Sequence, residues 1–252
     1  MTAASDLPPP PPLADLAEAR PVALFLDFDG TLVAIADGPD AIVVPDGLAR
    51  ALEASSERLA GRLALISGRA LDDLAKHLGP LALAQAGSHG AHRVTATGEV
   101  LGDRPRPLDP AVVAALAEFA AATDGVLKET KEHGGALHYR GNPASEPQVI
   151  AFMEETARAN DLAVKRGKCV VELVRPGADK GGAVAAFLAI APFQGALPVF
   201  IGDDVTDEDG FKAATKAGGF GICVGDRGET AARYALPDPA AVHDWLQLEL
   251  NG

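Results

Sequence analysis

Cysteine is scarce in this sequence of 252 residues: Cys169 and Cys223 occur far apart, in different apolar runs. We therefore expect two buried free thiols rather than a disulfide, which is typical of a reducing compartment. No apolar run is long enough to span a bilayer, and no basic segment followed by an apolar one marks a signal peptide at the N-terminus. These absences argue against a membrane partner and predict a cytoplasmic protein.

Positive charge is also in deficit, because 35 acidic residues outnumber 22 lysines and arginines and leave a net charge of −13. Binding to nucleic acid requires a basic surface, so a nucleic-acid partner is disfavoured. An anionic small molecule is not excluded, since a few local cations and a metal ion suffice to hold one phosphate group. The composition, 48% hydrophobic and 23% charged, is that of a soluble globular protein with one large or two small domains.

An apolar run, Val22–Leu26, ends in two aspartates, Asp27 and Asp29. Such a run predicts a buried strand of a parallel sheet, and chemistry in α/β sheets lies just past the carboxyl ends of the strands. Two close carboxylates either bind a metal or divide into an acid and a base, and one of them could act as a nucleophile toward phosphorus. For this motif alone, an acidic turn that only ends the strand remains an open alternative.

Another predicted strand, residues 197–201 later in the chain, also ends in acidic side chains, among them Asp203, Asp204 and Asp207. One acidic strand end is unremarkable, but two in one α/β domain predict a dense negative site that holds a cation. Mg²⁺ is the expected ion because it prefers oxygen ligands.

Two further segments have the chemistry to bind phosphate. The predicted strand Leu63–Ile66 ends in Ser67-Gly68-Arg69, where a hydroxyl before a helix is well placed to bind a phosphate oxygen. Lys180 stands in the first turn of a helix, where a cation opposes the helix dipole unless a carboxylate and a phosphate compensate it. For Ser67-Gly68-Arg69 the alternative is an ordinary helix cap with a surface arginine. For Lys180 it is a solvated surface lysine.

Two histidines, His89 and His92, follow the predicted third strand, residues 81–84. Since no further ligand stands at metal-binding spacing, we interpret them as loop residues or as residues behind the site.

The pattern of predicted helices and strands changes between two proline-containing linkers, residues 104–107 and 175–177. Between them the pattern is αββαββ, which predicts an antiparallel sheet with helices on one face. We therefore predict a core of residues 21–103 and 176–252, with residues 104–175 as an inserted α+β module. Residues 1–20 contain five consecutive prolines and are predicted to form a disordered arm.

The inserted module has an unusual set of polar residues on its predicted strands. A solvated sheet face is the alternative to a binding surface. The set comprises Glu129, Lys131, His138, Arg140, Lys168 and Glu172.

Four segments, each weak alone but specific together, resemble the motifs of haloacid dehalogenase superfamily phosphatases. The resemblance covers the chain from about residue 21 to the end. It implies a Rossmann-like parallel-sheet core with the inserted α+β cap domain that this superfamily often places between its second and third motifs. The segments are Asp27-Phe28-Asp29-Gly30-Thr31-Leu32, Ile66-Ser67-Gly68-Arg69, Lys180, and Gly202-Asp203-Asp204 continuing to Asp207.

Within that superfamily the chain resembles the trehalose-6-phosphate phosphatase family. The resemblance rests on Gly202-Asp203-Asp204-Val205-Thr206-Asp207-Glu208, on Glu129-Thr130-Lys131 followed by His138-Tyr139-Arg140, and on Gly167-Lys168-Cys169-Val170-Val171-Glu172 before Arg175-Pro176. It implies a Mg²⁺-dependent hydrolase that converts trehalose 6-phosphate to trehalose and phosphate, with the cap closing over the disaccharide. Glu129, Lys131 and Glu172 would hold the sugar hydroxyls.

The resemblance also implies a role for each core residue. Asp27 would attack phosphorus and become an aspartyl phosphate, and Asp29 would act as general acid and then general base. The remaining assignments are Ser67 and Lys180 to the transferring phosphoryl group, Gly68 and Arg69 to the substrate, and Asp27, the Asp29 carbonyl and Asp203 to Mg²⁺ with support from Asp204 and Asp207.

Other functions remain open from the sequence. A phosphatase of the same superfamily for sucrose phosphate or a hexose phosphate is the nearest alternative, and a non-catalytic sugar-phosphate sensor is another. We expect a monomer, with a weak dimer as the alternative.

Overall fold

The structure is a computed structural model and describes residues 2–36, 41–102, 106–131, 134–167, 169–176 and 179–250. Its strands are β1 (Thr2–Ala3), β2 (Val22–Leu26), β3 (Leu63–Ile66), β4 (Ala84–Gly87), β5 (His92–Val94), β6 (Leu127–Lys131), β7 (Gly134–His138), β8 (Ala163–Gly167), β9 (Val170–Val174), β10 (Leu197–Gly202), β11 (Phe220–Val224), β12 (Glu229–Thr230) and β13 (Tyr234–Leu236). Its helices are α1 (Leu13–Ala19), α2 (Leu48–Arg58), α3 (Leu71–Leu78), α4 (Pro110–Ala122), α5 (Glu146–Ala159), α6 (Lys180–Leu188), α7 (Asp207–Lys216) and α8 (Pro239–Leu246).

The chain divides into two compact units. The core unit comprises Met1–Asp103 and Asp179–Gly252, and the inserted unit is Arg104–Ala178. The core unit is built on a seven-stranded sheet in the order β13-β11-β10-β2-β3-β4-β5. Its pairs are parallel except for β4 with β5. The predicted α/β fold class with a mostly parallel central sheet is therefore confirmed.

Strand β2 is buried on both faces because helices cover both sides of the sheet. Val22, Leu24 and Leu26 pack into one cluster with side chains of α2, α3 and α8. Ala23 and Phe25 pack on the opposite face with side chains of α6 and α7. Burying a Leu or Phe side chain contributes about 1.5–3 kcal/mol relative to exposure. This run of five apolar residues therefore fixes the strand that leads into the acidic motif.

The inserted unit is a four-stranded antiparallel sheet in the order β6-β7-β9-β8. Side chains of α4 and α5 pack with alternate residues of the strands, among them Leu137, Val171 and Leu173, to form a separate hydrophobic core. Helix α4 begins where the Asp109 side chain accepts a hydrogen bond from the Ala111 amide. The element order α4-β6-β7-α5-β8-β9 is the predicted αββαββ.

The third strand of the core unit lies three residues later than predicted, at Ala84–Gly87. Leu81 and Leu83 contact the hydrophobic core from the loop before the strand, so their apolar character reports burial rather than strand pairing. Residues Ala84 and Ala86 instead pair with β3. The short strands β5 and β13 were not predicted, because three residues are too few to show a periodic pattern.

The proline-rich segment differs from the predicted disordered arm. The indole nitrogen of Trp245 donates to the Pro11 carbonyl at 2.8 Å, and the Ala235 amide donates to the Pro8 carbonyl at 3.1 Å. Proline lacks an amide donor, but its carbonyl remains an acceptor, so such a segment can bind to donors elsewhere in the chain. The segment also leads into helix α1, of which Leu13 and Leu16 pack against the core.

None of the helices among the described residues is both long and apolar enough to cross a membrane. Both cysteines are free thiols, as predicted, but only Cys223 is buried, whereas Cys169 is partly exposed. Burial raises the pKa of the Cys223 thiol, although the nearby Arg227 opposes that effect.

Candidate functional site

Two neighbouring strands of the core unit bring acidic side chains to the same edge of the sheet. Strands β2 and β10 run parallel and pair up to Leu26 and Ile201, and the Asp27 amide then donates to the Ile201 carbonyl at 2.9 Å. Asp203 follows β10 directly, and Asp207 begins α7. One carboxylate oxygen from each of Asp27, Asp203 and Asp207 lies within 4.8 Å of the others. The acidic turn therefore does more than end the strand.

Lys180 is the buried cation of this cluster. Its Nζ lies 2.7 Å from Oδ1 of Asp27 and 2.6 Å from Oδ1 of Asp207, and its side chain is only 2% exposed. The alternative of a solvated surface lysine is therefore wrong. Asp179 caps the helix that carries Lys180, and its side chain accepts from the Gly182 amide. The cap and the two carboxylates compensate for a cation in the first helical turn.

Asp207 holds the cluster together because both of its oxygens accept hydrogen bonds. Oδ1 accepts from Lys180, while Oδ2 accepts from the amides of Asp203 and Asp204 at 3.0 and 2.9 Å. Gly202 makes this approach possible, since a Cβ at that position would lie 2.2 Å from the Asp207 carboxyl carbon. Asp207 therefore orients Lys180 and fixes the turn that carries Asp203.

Negative charge exceeds positive charge inside the cluster. Burial, reinforced by Asp207, raises the pKa of Asp27 well above its ordinary value, although Lys180 opposes that rise. Burial and the charges of Asp207 and Asp204 raise the pKa of Asp203 to about 7. Burial disfavours the charged form of Lys180, but the surrounding carboxylates outweigh it and raise the pKa of the ammonium group. One ammonium group therefore leaves the carboxylates under-compensated.

The donor set of this cluster fits a divalent cation with a preference for oxygen. Three carboxylates converge, and a second positive charge would relieve the repulsion that their pKa values report. The Asp203 carboxylate occupies the space that a side chain at residue 30 would fill, since a Cβ on Gly30 would lie 2.2 Å from its Oδ2. Gly30 also has a φ of +78°, which favours glycine. Thr31 donates to Oδ1 of Asp203 over a long 3.4 Å.

Asp204 lies beside the three converging carboxylates rather than among them. Its Oδ1 accepts from both the amide and the hydroxyl of Thr206 at 2.7 Å. Burial would raise the pKa of Asp204, but Lys180 and the Thr206 hydrogen bonds outweigh burial and lower it. The structure thus brings together Asp27, Asp203 and Asp207 of the predicted metal set, while the side chains of Asp204 and Asp29 have other partners.

The predicted phosphate-binding turn follows β3. Ser67 is fully buried, and its Oγ accepts from the Arg69 amide at 3.1 Å. Gly68 borders a cavity of about 230 Å³ in the core unit and lies against His89, whose ring carbon Cε1 would be 2.8 Å from a Cβ on residue 68. The residues that line this cavity are Asp27, Asp29, Ile35, Gly68, His89, Lys180, Asp203, Asp204 and Thr206.

Arg69 contacts an acidic side chain of the predicted site. Its Nε and Nη2 donate to the two carboxylate oxygens of Asp29 at 2.7 and 2.8 Å, and its Nη1 donates to Asp73 at 2.7 Å. The hydrogen bonds to Asp29 raise the pKa of the Arg69 guanidinium; burial opposes this rise, and the Asp73 contact adds to it. The alternative of a surface arginine is therefore wrong.

In the inserted unit, two of the predicted carboxylates occupy one row of the sheet. Glu129 pairs with Ala136, and Ala136 pairs with Glu172, so the two glutamates flank a small residue on the same face. His138 lies on that face and its Nε2 is 2.7 Å from Oε2 of Glu129. Both side chains are more than 40% exposed, so this pair contributes little stability and its polar groups remain near solvent.

The other predicted residues of the inserted unit are less fully described. Lys131 lies in β6 two residues after Glu129, but its side chain is outside the described part of the structure. Lys168 lies wholly outside the described residues. Arg140 follows β7 in a turn and is exposed.

His89, predicted to be a loop residue or a residue behind the site, lines the cavity itself, as does Thr206, which was not predicted as a site residue. Lys165 was not predicted either. His89 follows the carboxyl end of β4, so the rule that identified Asp27 could have included it. Lys165 pairs directly with Glu172 in β8 and β9 and therefore shares its face. That pairing became visible only with the strand register.

Comparison with known proteins gives concordant matches. The model of the trehalose-phosphatase family matches residues 25–240. Trehalose-6-phosphate phosphatase of Escherichia coli K12 is 36% identical over 240 residues, which are 94% of this chain and 90% of that protein. A probable trehalose-phosphate phosphatase of Sinorhizobium fredii is 43% identical over 210 residues, or 81% and 77% of the two chains. The solved C-terminal domain of C. albicans trehalose-6-phosphate phosphatase has the same fold, with a TM-score of 0.77 at 24% identity over 95% of this chain and 96% of that one.

Proposed function

The chain belongs to the trehalose-phosphatase family, and on that premise we propose that it hydrolyses trehalose 6-phosphate to trehalose and inorganic phosphate with the aid of Mg²⁺. The observation that carries the proposal is the buried cluster in which Lys180 bridges Asp27 and Asp207 beside Asp203. It combines a carboxylate that can attack phosphorus, a cation that can stabilise the charge of the phosphoryl group, and oxygen ligands for a metal.

In the first step an oxygen of Asp27 attacks the phosphorus of the ester. The bond between phosphorus and the sugar oxygen breaks, and Asp29 gives its proton to that oxygen as trehalose leaves. Lys180 binds Oδ1 of Asp27 and offsets the negative charge that would otherwise repel the phosphate. The product is an aspartyl phosphate on Asp27.

In the second step Asp29 takes a proton from water, and the water oxygen attacks the phosphorus of the aspartyl phosphate. The bond between phosphorus and Asp27 breaks, which releases inorganic phosphate and restores the carboxylate. Asp29 regains the proton that it lost in the first step, so the residues return to their starting states. Ser67, with Gly68 from the same turn, is assigned to the phosphoryl oxygens.

The Asp27 side chain, the Asp29 backbone carbonyl and the Asp203 side chain would hold the Mg²⁺ ion. When bound, it neutralises phosphoryl charge and orients the ester for in-line attack. Asp207 already accepts three hydrogen bonds, so we assign it to anchoring Lys180 and the Asp203 turn rather than to direct ligation. Asp204 supports the same turn from beside it.

We assign residues 104–175 as the cap domain that recognises the disaccharide. Glu129 and Glu172 supply carboxylates on one face of the inserted sheet, and carboxylates accept hydrogen bonds from sugar hydroxyls. A side chain at residue 134 would crowd the Glu172 carboxylate, because a Cβ on Gly134 would lie 3.3 Å from Oε1 of Glu172. The remaining members of the assigned set are Lys131, His138, Arg140 and Lys168. A cytoplasmic location and a monomeric state stay predictions from the sequence.

Phosphate release from trehalose 6-phosphate, glucose 6-phosphate and sucrose 6-phosphate tests the proposed function. We expect rapid release from the trehalose ester alone, loss of that release after treatment with a chelator, and recovery on adding Mg²⁺. Release from all three esters would retain the phosphatase but contradict selection by the inserted unit. Release from none would favour a sugar-phosphate sensor, which equilibrium binding of trehalose 6-phosphate would then detect.

Replacing a cap carboxylate tests the recognition of the sugar. We expect Glu172→Gln and Glu129→Gln each to lower kcat/KM for trehalose 6-phosphate by about 10-fold to 100-fold, because a hydrogen bond to a charged group contributes about 1.5–3 kcal/mol. The loss is expected mainly as a higher KM. Hydrolysis of p-nitrophenyl phosphate, which has no sugar, is expected to change little.

Glu155→Gln is the matched control, because Glu155 is an exposed residue of α5 in the same unit. Unchanged kinetics on trehalose 6-phosphate in both cap variants would show that the sugar is bound elsewhere.

A further inference from the structure

Arg69 is held between two carboxylates rather than pointing at a phosphate site. It makes a bidentate contact with Asp29 through Nε and Nη2 and a further contact with Asp73 through Nη1. Its side chain is only 10% exposed, compared with 36% for Asp29 and 25% for Asp73. Arg69 is not among the residues that line the cavity beside Asp27, whereas Asp29 is. From this position, Arg69 reaches the site through Asp29.

The guanidinium group is braced by parts of the core unit that do not themselves react. Asp73 in α3, four residues after Arg69, accepts a hydrogen bond from Nη1 of Arg69. The same Nη1 lies 3.3 Å from Nε2 of His77. The ring of Phe28 lies beneath the group, with its centroid 5.9 Å from the guanidinium carbon. A planar donor held in this way has little freedom to move, so its position determines that of the Asp29 carboxylate.

The contact leaves Asp29 able to transfer a proton. Each carboxylate oxygen has two lone pairs, and a bidentate arginine uses one lone pair on each oxygen. The other lone pairs remain for a proton that moves to or from a reacting oxygen. A bidentate contact also fixes the plane of the carboxylate, which a single hydrogen bond cannot do.

We propose that Arg69, braced by Asp73, is a positioning residue that fixes the Asp29 carboxylate for proton transfer to the leaving sugar oxygen. This inference rests on the proposed phosphatase function and replaces the predicted role of Arg69 as a direct substrate contact. Proton transfer is efficient only when donor and acceptor are held at hydrogen-bond distance, so a loosened Asp29 slows the step that needs the proton.

Asp73 gives a way to test this without touching the cavity. Asp73→Asn weakens the support of Arg69, and Asp72→Asn makes the same change of charge one residue earlier in α3. Asp72 is exposed, and both residues lie in the first turn of the helix, so the control matches the loss of a favourable helix-dipole interaction. Arg69→Lys removes the bidentate contact but retains the charge.

Two esters separate positioning from general damage. Trehalose departs as an alkoxide that needs a proton, whereas p-nitrophenolate departs without one. We expect Asp73→Asn and Arg69→Lys to lower kcat/KM for trehalose 6-phosphate by about 10-fold or more, through a lower kcat with little change in KM. For p-nitrophenyl phosphate the loss is expected to be at most about 3-fold, and Asp72→Asn is expected to match the wild type on both esters. The double variant Arg69→Lys/Asp73→Asn should lose no more than Arg69→Lys alone.

Equal losses of kcat/KM on the two esters would overturn the inference and point to a structural role, because kcat/KM reports the first step, in which only trehalose needs a proton from Asp29. A higher KM with kcat retained would restore the direct substrate contact, and unchanged kinetics would show that Asp29 needs no positioning by Arg69. If the wild-type enzyme releases phosphate from a different sugar ester, the substrate assignment fails, and the same comparison is made with that ester. Absence of hydrolysis of any ester by the wild type would overturn both proposals.

Discussion

An Asp27→Asn variant is expected to release phosphate from trehalose 6-phosphate at least roughly 10⁴-fold more slowly than the wild type. The amide has nearly the shape of the carboxylate and its oxygen can still accept from Lys180, but it does not attack phosphorus. Steady-state phosphate release measures the effect. A rapid quench of the wild type with the same ester is expected to trap phosphate on the protein, and the variant should trap none.

The stability of Asp27→Asn separates loss of chemistry from loss of fold. The raised pKa of Asp27 means that the folded protein favours the protonated form. The ionised side chain therefore costs stability once the pH rises above the ordinary aspartate range, so the neutral amide should leave the free energy of unfolding unchanged or higher in chelator-treated protein. Asp46→Asn, at an exposed position, is the control. Undiminished phosphate release by the Asp27 variant would mean a misassigned nucleophile or a contaminating phosphatase.

The parts of the fold that could be predicted from the sequence are segments in which every residue meets the same requirement, such as burial. Strand β2 must be apolar at every position because helices cover both faces of the sheet, and its end is visible as a sudden change to aspartate. Strand β10 shows the same change. Since parallel neighbours end at the same edge, the proximity of Asp27 and Asp203 follows from the two patterns together.

The prediction of a disordered N-terminal arm considered only what proline lacks. The Pro8 and Pro11 carbonyls find donors in Ala235 and Trp245, more than 200 residues away in the sequence. Pairing over such a distance depends on which surfaces the completed core presents, and local composition carries no record of it.

The candidate site divides in the same way. Lys180 was marked by a local conflict with the helix dipole, and the structure supplies the compensation that the conflict required. The Arg69 contact with Asp29 has no such local signal, because it depends on the rotamers of two side chains in the turns that follow the paired strands β2 and β3. The trehalose-6-phosphate phosphatase family, predicted from the segment that starts at Gly202 and from segments of the inserted module, is confirmed, whereas the roles of individual residues stay predictions until they are measured.

Lys180→Met is expected to abolish phosphate release and to lower the free energy of unfolding by about 3–5 kcal/mol near neutral pH. Methionine retains much of the volume, so the expected loss arises from charge. Without the ammonium group, Asp27 and Asp207 are buried close together and lose the cation that contacts both of them. Both already have a raised pKa in the presence of Lys180. Denaturant unfolding in the presence of a chelator measures the change.

The origin of that loss in two carboxylates can itself be tested. Protonation removes their repulsion, so the destabilisation caused by Lys180→Met should shrink as the pH is lowered from about 8 to about 5. The double variant Lys180→Met/Asp207→Asn should be less destabilised than Lys180→Met, because it removes one of the two buried charges. Lys216→Met, at an exposed position of α7, is the matched control and should change stability by no more than about 0.5 kcal/mol. A loss for Lys180→Met that is independent of pH and undiminished in the double variant would instead assign the role of Lys180 to packing, and the electrostatic account of the cluster would then be wrong.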